Sequence, residues 1–207
     1  MQELHETDKL GFVAYLDILG TSDKMEKESN ESGKGKNQSL EDGYNDFRNL
    51  IRRWFPYERW ENKLGVFGFS DSFFVTLEVI TDNGTSIIEN DKKKVNELFE
   101  SLREFQLESL GMRKSVRGGI AFGNFIIDDP PSKDRIHMIL GKIVAGVVKL
   151  EESMKMVGIA LIPAFALPRK YIPLYQNIIT DLLGLGLLIP FSVPCDFGLV
   201  PTHIVSW

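Results

Sequence analysis

A short apolar run that ends in a carboxylate constrains this chain more than any other feature. Phe12-Val13-Ala14-Tyr15-Leu16 shows no polar alternation, and Asp17 closes it, with Gly20 just beyond. A strand with one wet face alternates apolar and polar residues, so an unbroken run suits a central strand covered on both faces. A second stretch, "SVRGGIAFGNF" (115–125), also reads as a strand, yet it sets Gly118 beside Gly119 and carries Arg117 where bulk would be expected. Glycine weakens a strand and marks a bulge or a close approach. Two readings stand: a local bulge beside a turn, or a sheet surface kept bare for a substrate.

The remaining segments supply the layers. Tyr44, Phe47, Leu50, Ile51, Trp54 and Phe55 recur at helical spacing, and Pro56 stops them. "KLGVFGFSDSFFVTLEV" (63–79) reads as two strands joined near Ser70-Asp71-Ser72. Val95, Leu98, Phe99, Leu102 and Phe105 mark a second helix closing near Gly111, residues 139–155 a third, and residues 156–165 a further strand. Residues 27–39 are polar and glycine-bearing, a loop without the spacing of a phosphate loop. After residue 165, "YIPLYQNIITDLLGLGLL" suits a helix and "THIVSW" a terminal strand. The order strand, helix, strand, strand, helix, strand, helix, strand predicts an α+β fold. Its form is a ferredoxin-like palm of the split βαβ kind, a mostly antiparallel sheet with helices packed on one face.

Composition narrows the function classes. Of 207 residues, 43% are hydrophobic and 26% charged, which is ordinary for a globular domain. A net charge of -5 argues against non-specific binding to a nucleic-acid backbone, so no nucleic-acid partner is expected. A single cysteine, Cys195, forms no intrachain disulfide and fits a reducing compartment. The greasiest late stretch, residues 182–191, falls short of the about 20 residues a membrane span needs. A cytoplasmic protein without a membrane partner is the expectation.

Two carboxylates stand out. Asp17 lies at the end of the first strand and Asp71 at the hairpin after the second, and in a split βαβ sheet those strands are natural neighbours. Oxygen donors on strand ends suit a hard cation such as magnesium. Asp17 could equally cap a following helix, and Asp71 between two serines suits a turn. Arg117 reads as a surface ion pair, a phosphate contact or a brace. Lys149 and Glu151 read as solvated helix residues. His5, His137 and His203 show no ligand spacing.

The order "FVAYLDILG", "FGFSDSFFV", "VRGGIAFG", "GKIVAGVVKLE" resembles the catalytic domain of class III nucleotidyl cyclases. The likeness is greatest to the compact bacterial branch that includes the pyrimidine cyclases of antiphage defence. The resemblance implies a catalytic domain over residues 10–165, with residues 166–207 an extension packed on or completing it. It implies two metal ions, Mg2+ or Mn2+, held by Asp17, Asp71 and the Ile18 carbonyl. Gly20 and Ser22 would lie near the triphosphate, Arg117 and Lys149 would help as cations, and Gly118 and Gly119 would admit the nucleotide or a partner subunit. It further implies a nucleoside triphosphate substrate, a 3',5'-cyclic product with pyrophosphate, and a homodimer with shared sites. Phe67 stands where purine cyclases carry a lysine, which directs the expectation to UTP or CTP. Ala145 replaces the ribose-orienting asparagine, and Lys149 replaces an arginine, keeping the charge but losing the planar fork. Those two replacements leave open a degenerate palm that binds a nucleotide or protein without turnover.

Overall fold

The computed structural model describes residues 8–19, 45–46, 48–56, 64–69, 71–82, 86–128, 138–163 and 169–207. The strands are β1 (Asp8–Leu19), β2 (Leu64–Phe69), β3 (Ser72–Glu78), β4 (Thr81–Asp82), β5 (Ser86–Ile87), β6 (Ser115–Asp128), β7 (Met138–Leu140), β8 (Gly158–Leu161), β9 (Leu188–Cys195) and β10 (Gly198–Val205). The helices are α1 (residues 48–54), α2 (Glu89–Gly111), α3 (Lys142–Ser153) and α4 (Ile172–Gly184).

One sheet runs in the order β2-β3-β1-β6-β8-β10-β9, with β7 paired to β6. Every pair in it is antiparallel except β6 with β8. The expectation that β1 and the strand before Asp71 are neighbours is corrected: β1 lies between β3 and β6, and β2 forms an edge outside β3. A tight hairpin folds β2 back onto β3, and the more apolar of the two, β3, takes the central place.

Alternation divides the sheet into two faces. Phe12, Ala14, Leu16 and Ile18 of β1 join Phe73, Val75, Leu77, Ile120 and Phe122 against α1, α2 and α4. Rings knit this core face: Phe12 meets Phe99 edge-on at 5.6 Å, and Phe73 meets Phe105 edge-on at 5.3 Å. Of the sequence-read α1 stripe, Leu50 and Phe55 are buried and Ile51 and Trp54 pack beside them, while Tyr44 and Phe47 lie outside the described residues. Helices α1, α2 and α4 thus cover one face, as the α+β reading expects. The other face carries Val13, Tyr15, Phe74, Ala121 and Ala160, and there α3 settles through Ile143, Val147 and Leu150. Cover on both sides is what the unalternating run 12–16 demanded. Residues 138–140, read partly as helix, instead pair with β6, and Gly141 (φ 147) turns the chain into α3. The strand β9, not read from sequence, forms a hairpin with β10, and β10 joins β8 through Ile204 and Ala160.

Candidate active site at the carboxylate end of the sheet

Three strands bring the candidate residues together on the face that α3 occupies. Asp17 of β1 stands opposite Ser72 on β3 and opposite Arg117 on β6. The turn holding Asp71 is tied to β1 by a backbone bond, Ile18 N–H to the Asp71 carbonyl, at 3.1 Å. The register explains the placement: Asp17 pairs with Ser72, so the last residues of β1 lie beside the β2–β3 turn. Both carboxylates therefore sit at one end of the sheet.

Their electrostatics record this proximity. Burial pushes the Asp17 carboxyl above its ordinary range, the Asp71 charge pushes it further, and Arg117 opposes both. Tyr15, one pleat away, is raised chiefly by burial; its hydrogen bond with Ser72 opposes the rise, and the charges of Asp17, Glu151 and Asp71 add to it. Two carboxylates that repel each other at a strand end form an oxygen site that a divalent cation would neutralise. Among the described residues no group of three or more His, Cys, Asp or Glu side chains is placed to hold a metal. The carboxylates of Asp17 and Asp71 offer oxygen donors, the kind a hard cation takes, and magnesium ordinarily completes its shell with water and substrate phosphates. The donors fit such an ion.

Arg117 is half-buried and already engaged within the chain. Its Nε–H donates to Glu151 Oε1, and its Nη1 donates to the Met154 carbonyl at 3.3 Å. Glu151, read from sequence as solvated, is 3% exposed. Burial raises its carboxyl, and the bond and charge of Arg117 pull it back. A signal was present in the sequence: position 151 falls one turn after Val147 and beside Leu150 on the buried stripe of α3. Lys149 and Ala145 lie on the exposed side of the same helix.

The glycine question has a structural answer. The β1–β6 register runs without interruption from Asp8↔Ile126 to Leu19↔Ser115, so there is no bulge. Nor is the surface bare. A Cβ on Gly119 would lie 2.7 Å from the Val147 carbonyl oxygen, and one on Gly118 would lie 2.5 Å from the Leu16 side chain and 2.7 Å from the Tyr15 carbonyl. The chain's own α3 and β1 fill the space that the sequence reading kept for a nucleotide or partner subunit. Phe67 lies opposite Phe74 on the site face, and Phe74 packs its ring 4.7 Å from Tyr15. Gly20 and Ser22 lie outside the described residues.

No protein-family model matches the sequence, and no curated protein matches it. Solved structures do resemble it. The adenylyl cyclase CyaB from P. aeruginosa superposes with a TM-score of 0.63 at 16% identity, covering 99% of this chain and 97% of that one. A bacterial light-regulated adenylyl cyclase gives 0.61 at 12% identity, over 98% of this chain and 54% of its own. The catalytic core of a rhodopsin-guanylyl cyclase with converted specificity, in complex with ATPalphaS, gives 0.54 at 16% identity, over 100% and 99%. The protein has a class III nucleotidyl-cyclase-like fold. No described helix is long and apolar enough to cross a membrane.

Proposed function

We propose that this protein is a nucleotidyl cyclase that turns a nucleoside triphosphate, UTP or CTP, into a 3',5'-cyclic monophosphate and pyrophosphate. The observation that carries the reading is the meeting of Asp17 and Asp71 at one end of a cyclase-like sheet. These carboxylates and the Ile18 carbonyl are the groups that would hold Mg2+ or Mn2+. When bound, such an ion supplies Lewis-acid activation of the ribose 3'-hydroxyl and neutralises charge on the α-phosphate. In the reaction the 3'-oxygen bonds to the α-phosphorus, the α–β anhydride bond breaks, pyrophosphate leaves, and the hydroxyl proton passes to solvent. Gly20 and Ser22 would border the triphosphate. Phe67 offers an apolar ring to the base and no hydrogen bond to a purine edge, and this supports a pyrimidine. Lys149, on the exposed side of α3, would place its charge in a site shared across a homodimer.

The experiment is a product screen by mass, with each of the four ribonucleoside triphosphates and manganese, alongside pyrophosphate release. Cyclic UMP or cyclic CMP with matching pyrophosphate is the expected result. Cyclic AMP made far faster than either would overturn the base assignment. A second reading, a palm that binds nucleotide without turnover, is supported by Ala145 and Lys149 in place of asparagine and arginine. It expects no pyrophosphate from any triphosphate, with melting still raised by one of them.

A further inference from the structure

We infer that Glu151 and Arg117 are positioning residues: with the Met154 carbonyl they form a half-buried brace that sets α3 against the carboxylate end of the sheet. The kinetic consequences rest on the cyclase reading, whereas the brace itself rests on the contacts alone.

Arg117 stands across from Asp17 in the β1–β6 register, and its guanidinium reaches away from the strand to the last turn of α3. One prong holds the Glu151 side chain, and the other holds the backbone carbonyl of the residue that ends the helix. The last carbonyls of a helix have no intrahelical partner, so this second bond meets a standing need. A guanidinium suits the task because its donors are fixed in one plane. A carboxylate on a buried stripe is costly unless paired, and a leucine at 151 would pack with Leu150 and Val147 without that cost. What glutamate adds is a fixed direction.

The same turn is held from its other side. Met154 bridges to Cys195, Lys155 N–H donates to the Pro194 carbonyl at 2.8 Å, and Asp196 N–H donates to the Ser153 carbonyl at 3.0 Å. The end of α3 is thus a junction between the β9–β10 hairpin and the carboxylate site. Without the brace, this end of α3 keeps the hairpin bonds and the apolar packing of Leu150 and Met154, which fix its depth on the sheet but supply no directed bond to β6. A phosphate-contact role for Arg117 would show in substrate binding, whereas the brace would show in the ordering of α3, and this separates the two accounts.

The test compares Arg117→Ala, Glu151→Ala, their double variant and Glu151→Gln by steady-state kinetics and by amide hydrogen exchange over residues 142–156. The brace expects each alanine variant to lose kcat by about tenfold or more with KM little changed, the scale of a small misplacement of catalytic groups. The double variant should be no worse than the worse single one, because the two residues act as a unit. Glu151→Gln, which keeps an accepting oxygen, should recover much of the loss, and α3 amides should exchange faster in both alanine variants. A raised KM in Arg117→Ala with normal Glu151→Ala would overturn the brace in favour of a phosphate contact. Unchanged exchange in both would overturn it outright. If the wild-type protein turns over no triphosphate, the cyclase reading fails separately, and the exchange comparison decides the brace by itself. Should the alanine variants not fold, Arg117→Lys, which keeps the charge and loses the fork, carries the same comparison.

Discussion

Alternate residues of β1 live in two different solvents. Phe12, Leu16 and Ile18 point into an aromatic core under α1, α2 and α4, where shape decides everything. Tyr15 and Asp17 point to the other side, among Ser72, Arg117, Glu151 and the Asp71 turn, where charge decides. The core face is built to be stable. The site face gives up stability, since it holds two carboxylates whose protonated forms are favoured by burial. The contrast teaches that a period of two lets one strand serve folding and chemistry at once, provided the register never slips.

The sharpest way to break the comparison is Asp17→Asn or Asp71→Asn. Under the cyclase reading turnover with manganese should fall at least about 100-fold, the scale of losing an electrostatic stabiliser of developing charge. Stability should not fall with it. The folded-state value of Asp17 is raised above its unfolded one, so its contribution is fully present below the unfolded value and is lost as pH rises through the folded value. Wild type minus Asp17→Asn, melted without metal from the ordinary carboxylate range upward, should therefore show wild type weakening. Two active mutants would mean that these residues serve the turn and strand end only.

The converse change strikes the core face. Phe105→Ala removes a ring buried against Phe55 and Phe73 and should cost about 3–5 kcal/mol. At about 2–4 °C per kcal/mol that is a fall in Tm of about 6–20 °C by calorimetry. Metal-dependent melting shifts should survive at low temperature, because the site face loses no group.

A third change probes the boundary between the faces. Gly119→Ala drives a methyl group onto the α3 backbone and should cost about 1–3 kcal/mol, whereas Gly68→Ala, with nothing within 4 Å of the new atom, should be close to neutral. Equal melting of the two variants would mean that α3 yields freely. Smallest in stability is Lys149→Ala on the exposed side of α3, expected to leave Tm within about 2 °C. If Lys149 serves a nucleotide, kcat should still drop by roughly tenfold. A normal rate would return it to a solvated surface role.

Much of this was legible in residue order. Helix α2 and the β2–β3 hairpin announce themselves because periodicity and turn chemistry act within a few residues. The same locality put Asp17 and Asp71 at strand ends. Glu151 reads as solvated because it lies two places from a Lys; its place on the apolar stripe of α3 points inward, but its partner Arg117 lies 34 residues earlier and is shown only by the fold. The strand β9 was missed because Pro190 and Pro194 interrupt its pattern, which an edge strand tolerates. Gly118 and Gly119 announced a close approach, but the sequence could not name the neighbour.

The amino-acid sequence by itself therefore determined the long helices, the strands β1, β2, β3 and β6 in their order, and the carboxylates near the strand ends, since each depends on contacts between near neighbours in the chain. The tertiary structure alone decided that β3 rather than β2 flanks β1, that α3 crosses to the face opposite the other helices, and that Val147 fills the space over Gly119. Those outcomes depend on which distant surfaces exclude water from one another. Burial is settled by the whole assembly of layers and not by any one segment.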